Sequence, residues 1–120
     1  MILVSVQPGQ EVMATLTAEL QVRGVANGAI VSLIGAVEGC AISTMATDDY
    51  SKDIVTEYSE PMELTGTGEV KDGVVHVHIV LGRQGDEAKA GHLHWGRVEH
   101  FFVNAYVVPL RPEVANAESA

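Results

Sequence analysis

Cysteine and long hydrophobic runs are scarce in this sequence of 120 residues. Its single cysteine, Cys40, has no disulfide partner within the chain, so the cross-links that stabilise small secreted domains are excluded, and we expect an inert, buried thiol. The apolar run at residues 2–6 is short and no basic residue precedes it, which argues against a signal peptide or a membrane span. We therefore expect a cytoplasmic protein that does not bind membranes.

Positive charge is also scarce. Seven Lys and Arg residues oppose sixteen Asp and Glu residues, so the formal net charge is 7 − 16 = −9, and the cations are scattered along the chain. Binding to nucleic acid or to an anionic membrane depends on clustered cations. The composition therefore disfavours nucleic acid as a partner.

The hydrophobic residues, 47% of the total, are sufficient for one folded core. Apolar side chains recur every four positions between Gln10 and about Arg23, with Gly24 as a C-cap, and this predicts an amphipathic helix. Alternating or β-branched segments predict strands, the second of which we expect to pair with the third. These strands are placed at 2–6, 29–37, 40–46, 61–70, 74–81 and 98–108.

The connections between these elements suggest the architecture. Most are too short for a parallel crossover, and Lys71-Asp72-Gly73 marks a turn. The polar, acidic segment 47–60 is interpreted as a long surface excursion. We expect an α+β fold, with a mainly antiparallel sheet flanked by one or two helices, over residues 1–110, followed by a flexible tail at 111–120.

The histidines carry the clearest functional signal, because all five lie in the segment 76–100. Side chains alternate along a strand, so His76 and His78 share one face, about 7 Å apart along the backbone. His92 and His94 repeat this spacing, and a hairpin-like return would bring the two pairs together. Neutral imidazole is the commonest protein ligand for zinc and its neighbours, so the pattern predicts a divalent metal site.

Catalysis at such a metal needs a group that carries protons. We predict Glu63 and His94 in this role, with Glu69 as a further candidate; the alternative is that these acids are simply solvated. His100 is interpreted as a structural residue of the last strand. The segment Gly66-Thr67-Gly68 lacks the lysine and the following helix of a phosphate-binding loop.

Several motifs occur in a recognisable order along about residues 2–108. They are Pro8-Gly9-Gln10-Glu11-Val12, Ser32-Leu33-Ile34-Gly35-Ala36-Val37, Pro61-Met62-Glu63-Leu64-Thr65-Gly66-Thr67-Gly68-Glu69-Val70, His76-Val77-His78 and Ala90-Gly91-His92-Leu93. Together they resemble the PPC (plants and prokaryotes conserved) domain family, in its stand-alone prokaryotic form.

This resemblance implies a compact domain that assembles as a homotrimer and binds a divalent metal, often zinc, near the subunit boundary. Carried over by position, it implies that the ligands are His76, His78 and His92. His94, Trp95 and the segment 47–60 depart from the family's common pattern.

The leading functional hypothesis is a metal-dependent lyase, isomerase or hydrolase that acts on a small carbonyl-bearing or hydroxylated metabolite. Two other classes stay open: a non-catalytic module that responds to a metabolite or metal, and a DNA-binding regulator, which the net charge disfavours. A cupin barrel is the rival fold, since it also uses His-x-His. Cupins have a glutamate shortly after this pair, where the present sequence has Gly82 and Arg83.

Overall fold

One helix and eight strands make up residues 1–111, the part of the chain that the computed structural model describes. The helix, α1, spans Val12–Val22. The strands are β1 (Ile2–Val6), β2 (Gly28–Val37), β3 (Gly39–Ala46), β4 (Asp49–Tyr58), β5 (Met62–Lys71), β6 (Val74–Arg83), β7 (Glu87–Arg97) and β8 (Val103–Pro109). The tail predicted at 111–120 falls, from residue 112 onward, outside the described residues.

The strands form one sheet in the order β1-β8-β2-β5-β6-β7-β3-β4, and all neighbouring strands are antiparallel. The prediction of an α+β fold with a mainly antiparallel sheet is thus confirmed. The predicted turn between β5 and β6 is also present. Asp72 and Gly73 have φ values of 50° and 81°, the left-handed conformation that a two-residue hairpin turn needs.

Helix α1 covers one face of the sheet, where the core lies. Its buried side chains, Val12, Leu16 and Leu20, confirm the predicted period of four, and the helix packs on β1, β6 and β7. Among residues 1–111 no helix covers the opposite face of the sheet, so its side chains remain largely exposed. No helix in this part of the chain is long and apolar enough to cross a membrane.

Three local predictions were wrong, and one strand was not predicted. The segment 40–46 pairs with β4 and β7 rather than with β2. The expected excursion 47–60 contains strand β4, which is exposed along almost its whole length, because it lies at the edge of the sheet and is held by backbone pairing with β3 alone. The last strand begins at Val103 instead of residue 98, and the segment 87–97 forms a strand that the pattern did not predict.

Glu11 ties the helix to the sheet. Its Oε1 accepts a hydrogen bond from the N–H of Ala14, and its Oε2 accepts one each from Met13 and from Gly96 on β7, all at 2.8 Å. The first N–H groups of a helix lack partners within the helix. One carboxylate therefore caps α1 and holds it against the strand that carries two of the histidines.

We predict that Glu11→Ala lowers the free energy of unfolding by about 1–2 kcal/mol, because it removes the helix cap and leaves the N–H of Gly96 without its partner. Urea denaturation measures this change. Glu19→Ala, on the same helix, is the matched control. Its contact with Arg23 is exposed, at 3.8 Å, so the expected change is below about 0.5 kcal/mol. Equal losses in the two variants would contradict the role of Glu11.

Candidate metal centre

The histidines come together because β6 and β7 form a hairpin. Along β6 the burial alternates, with Val75 and Val77 facing the core and His76 and His78 on the uncovered face. The register places His92 of β7 directly opposite His78. The predicted return that brings the two histidine pairs together is therefore present in the structure.

Three of these imidazoles form a tight cluster. One ring nitrogen each from His76, His78 and His92 lies within 4.8 Å of the others, and the Nε2 atoms of His76 and His78 are 3.1 Å apart. Two nitrogens bound to one tetrahedral zinc, at about 2.0–2.1 Å from it, are about 3.3 Å apart. The donor set and the spacing therefore fit a cation of this size.

Gly66 and Gly68 allow β5 to lie close to the histidine strand. A Cβ added to either residue would lie 2.3 Å from a backbone oxygen, that of His78 or His76 respectively. Real Cβ atoms do not approach an oxygen so closely, so any larger residue would push the two strands apart. The Gly66-Thr67-Gly68 segment thus serves strand packing beneath the cluster.

The electrostatics of the cluster favour an uncharged His92. Burial is the largest cause that lowers the pKa of this ring from its ordinary value, followed by repulsion from His76, His94 and His78; the carboxylate of Asp53 opposes the shift. A ring with a lowered pKa is neutral near pH 7. Neutral imidazole is the form that binds a metal ion. Metal binding at that pH would therefore release little or no proton from His92.

A groove of about 730 Å³ opens beside the cluster. Asp53 of β4 lines it, and Glu69 is the direct cross-strand neighbour of His76, where Cβ atoms are typically about 4.5–5.5 Å apart. None of the described residues that line the groove is Lys or Arg. Sequence reasoning missed Asp53, because β4 has no buried face that would single out one of its acids.

His94, predicted as a proton carrier, adjoins the cluster without belonging to it. Its ring centroid is 4.8 Å from that of His92, but its Nε2 is 2.7 Å from the Oγ of Ser43 on β3. Ser43 is a buried polar residue that the sequence did not single out. Nothing in the spacing of β3 signals this contact, which depends on how β3 pairs with β7.

Glu63, the other predicted proton carrier, lies farther away. It is paired with Gly82, four residues beyond His78 and therefore about 13 Å from it along β6. It lines a second groove of about 590 Å³. The two grooves share Thr65 and Val80, so they adjoin on the same face of the sheet.

His100 belongs to a separate cluster with Glu38 and Glu99. The two carboxylate oxygens of Glu38 accept hydrogen bonds from the backbone N–H groups of Glu99 and His100, at 2.7 and 2.9 Å. These bonds close the turn before β8. His100 thus takes part in a turn rather than in the strand where the sequence pattern placed it, and its backbone contact is structural.

Cys40 has the properties of an unreactive thiol. It lies in the core on β3, and burial, with a smaller contribution from the charge of Glu60, raises the pKa of its thiol to about 11. The reactive form of cysteine is the thiolate, which is nearly absent at neutral pH when the pKa is so high.

The fold and the cluster together define a class: a small α+β protein whose antiparallel sheet carries three clustered histidines that could hold a metal ion. The family model of the Plants and Prokaryotes Conserved (PCC) domain, also written PPC, matches residues 1–110. The chain therefore belongs to this family, and the resemblance inferred from the motifs is confirmed.

Solved structures share the fold. A PPC protein of Pyrococcus horikoshii superposes with a TM-score of 0.83 at 22% identity, covering 93% of this chain and 79% of that one. A metal-containing protein of Archaeoglobus fulgidus superposes with a TM-score of 0.71 at 27% identity, covering 95% of this chain and 84% of that one. A protein of Bacteroides thetaiotaomicron that is proposed to bind DNA superposes with a TM-score of 0.73 at 26% identity, covering 92% of this chain and 78% of that one. No curated protein shows significant similarity to the chain.

We predict that Gly91→Ala destabilises the fold by about 1–3 kcal/mol, because its Cβ would lie 2.6 Å from the backbone oxygen of Ser43 and would push β3 away from β7. Gly82→Ala is the matched control, since nothing lies within 3.9 Å of its Cβ. Urea denaturation of both variants measures the difference. If Gly91→Ala were as stable as Gly82→Ala, the close approach of β3 and β7 would not be a constraint.

Proposed function

We propose that this protein binds a divalent metal ion, preferably zinc, through His76, His78 and His92. The observation that carries the proposal is the convergence of their three ring nitrogens within 4.8 Å. The lowered pKa of His92 supports it, because that ring is available as a neutral ligand. The similarity to a metal-containing protein at 27% identity supports it further.

The donor set favours a catalytic rather than a purely structural site. Three neutral ligands leave a zinc ion with its full charge and with an open coordination position. When bound, zinc supplies a Lewis acid that polarises a carbonyl group or lowers the pKa of water. We therefore propose a metal-dependent lyase, isomerase or hydrolase. The absence of Lys and Arg from the described lining favours a small carbonyl-bearing or hydroxylated metabolite over a highly anionic one.

Two groups of this chain are proposed to move protons. His94 lies beside His92 and can exchange a proton with a ligand held next to the cluster. Glu63 lies in the adjoining groove, where it can reach a ligand that extends past Thr65 and Val80. The two groups would thus act on different parts of one bound molecule.

The uncovered face of the sheet supports the homotrimer that the family resemblance implies. Large apolar side chains are exposed there around the second groove, among them Ile34, Val80, Phe101 and Phe102. Contiguous apolar surface of this kind marks interaction sites, and the occupant that the family resemblance implies beside the ligand groove is a neighbouring copy of the chain. We therefore propose that the protein forms a homotrimer, and we propose that it is located in the cytoplasm.

A nucleic-acid role is the competing proposal, since the similar protein of Bacteroides thetaiotaomicron is proposed to bind DNA. The net charge of −9 opposes it for this chain. The described linings of both grooves contain no Lys or Arg that would contact phosphates. We therefore favour a small-molecule ligand.

We predict that His92→Ala or His76→Ala reduces bound zinc from about one ion per chain to near zero, because two imidazoles hold the ion too weakly to survive dialysis. Elemental analysis of the purified, zinc-loaded protein measures the ratio. His100→Ala is the matched control and keeps its zinc, because this ring lies outside the cluster. Wild-type zinc content in His92→Ala would refute the assignment.

We predict that a mixture of small carbonyl and hydroxylated metabolites is converted by the zinc-loaded protein and not by the same protein after chelation. Mass spectrometry of the mixture measures conversion, and a thermal-shift assay run beside it measures binding. A metabolite that raises the melting temperature but is never consumed would instead favour the non-catalytic binding module.

A further inference from the structure

His94 lies at an irregularity in the pairing of β3 with β7. Ala41 is opposite Trp95, but the next residue of β3, Ile42, is opposite Leu93, so His94 is the extra residue of a β-bulge. A bulge bends its strand and changes the direction of the side chain at the extra position, and bulges recur next to functional sites. The bulge in the backbone therefore turns the His94 side chain away from the direction that it would have in a regular strand.

The partner that the imidazole meets is held firmly. The Oγ of Ser43 is 2.7 Å from the Nε2 of His94, and the serine is only 4% exposed. Ser43 is fixed on both sides, because it is paired with His92 on β7 and with Val55 on β4. Strand β3 lies between β4 and β7, so the buried hydroxyl of Ser43 has little freedom to follow a movement of the His94 ring.

The position of this ring matters for any metal at the cluster. The His94 centroid is 4.8 Å from that of His92, yet only His76, His78 and His92 have nitrogens that converge. A zinc ion with four protein ligands is a closed, structural site, whereas three ligands leave a position open for an external molecule. Whether His94 reaches the metal therefore decides which kind of site this is.

We propose that Ser43 is a positioning residue whose hydrogen bond holds His94 beside the three-histidine cluster but out of coordination, and so keeps one position of the metal open. The inference rests on the proposed metal site. It assigns Ser43 and the bulge at His94 a common purpose: the imidazole borders the open position, where it can contact an incoming ligand, without occupying that position.

The test uses cobalt(II) as a visible substitute for zinc and azide as the external ligand. In the cobalt-loaded wild type, azide changes the visible absorption spectrum until it saturates. In Ser43→Ala the released imidazole takes the open position, and we expect azide to bind about tenfold more weakly, or not at all. In the double variant Ser43→Ala, His94→Ala, azide affinity returns to within about twofold of the wild type. His94→Ala alone is the reference for the double variant. His100→Ala is the matched control and binds azide as the wild type does, because its ring lies outside the three-histidine cluster.

Two results of this titration would overturn the inference. One is unchanged azide affinity in Ser43→Ala; the other is a double variant as weak as Ser43→Ala, because the loss would then come from a distorted site. Cobalt content is measured for every protein. Failure of the wild type to bind cobalt would overturn the metal site itself, which distinguishes the two proposals.

A second measurement needs no variant, so it holds even if Ser43→Ala does not fold. NMR of the histidine ring nitrogens in the zinc-loaded wild type should show three rings shifted by metal coordination, with His94 unshifted in this way. Four coordinated rings would overturn the inference.

Discussion

The strand alternation of β6 is the constraint on which the rest of the structure depends. Its inward side chains, Val75, Val77, Ile79 and Leu81, belong to the core, and its outward positions hold His76 and His78. A slip of one residue would bury both imidazoles and expose the apolar set. The hydrophobic core therefore fixes the register that also places His76 and His78, and folding alone assembles most of the histidine cluster.

This dependence explains what the sequence could predict. Apolar residues recur every two positions in β6 and every four in α1, because those positions are buried. Such patterns can be recognised from the residue types alone. The position of His92 followed from its Gly-His-Leu motif and from the expectation of a hairpin. Glu11 was visible only as part of a motif, because its contact with Gly96 joins residues far apart in the chain.

The features that escaped prediction depend on strand pairing rather than on burial. Strand β4 is held by backbone hydrogen bonds to β3, and these leave no trace in its side chains. The contact between Ser43 and His94 exists because a bulge shifts the register of β3 against β7. Asp53 approaches the cluster through the same two ladders. Contacts between residues on paired strands produce no repeating pattern in a single sequence. The three histidines could therefore be predicted from their spacing and motifs, whereas Ser43 and Asp53 beside them could not.

The position of β4 at one edge of the sheet has a consequence for the protein at high concentration. An exposed edge strand offers free N–H and C=O groups, to which the edge of another molecule can add. Asp49, Asp53 and Glu57 place like charges along this edge, and the excess of acids over cations extends the repulsion over the whole chain. The acidity that disfavours nucleic acid as a partner thus also acts against fibril-like growth from the sheet. This protection weakens where low pH protonates the carboxylates or high salt screens their charge.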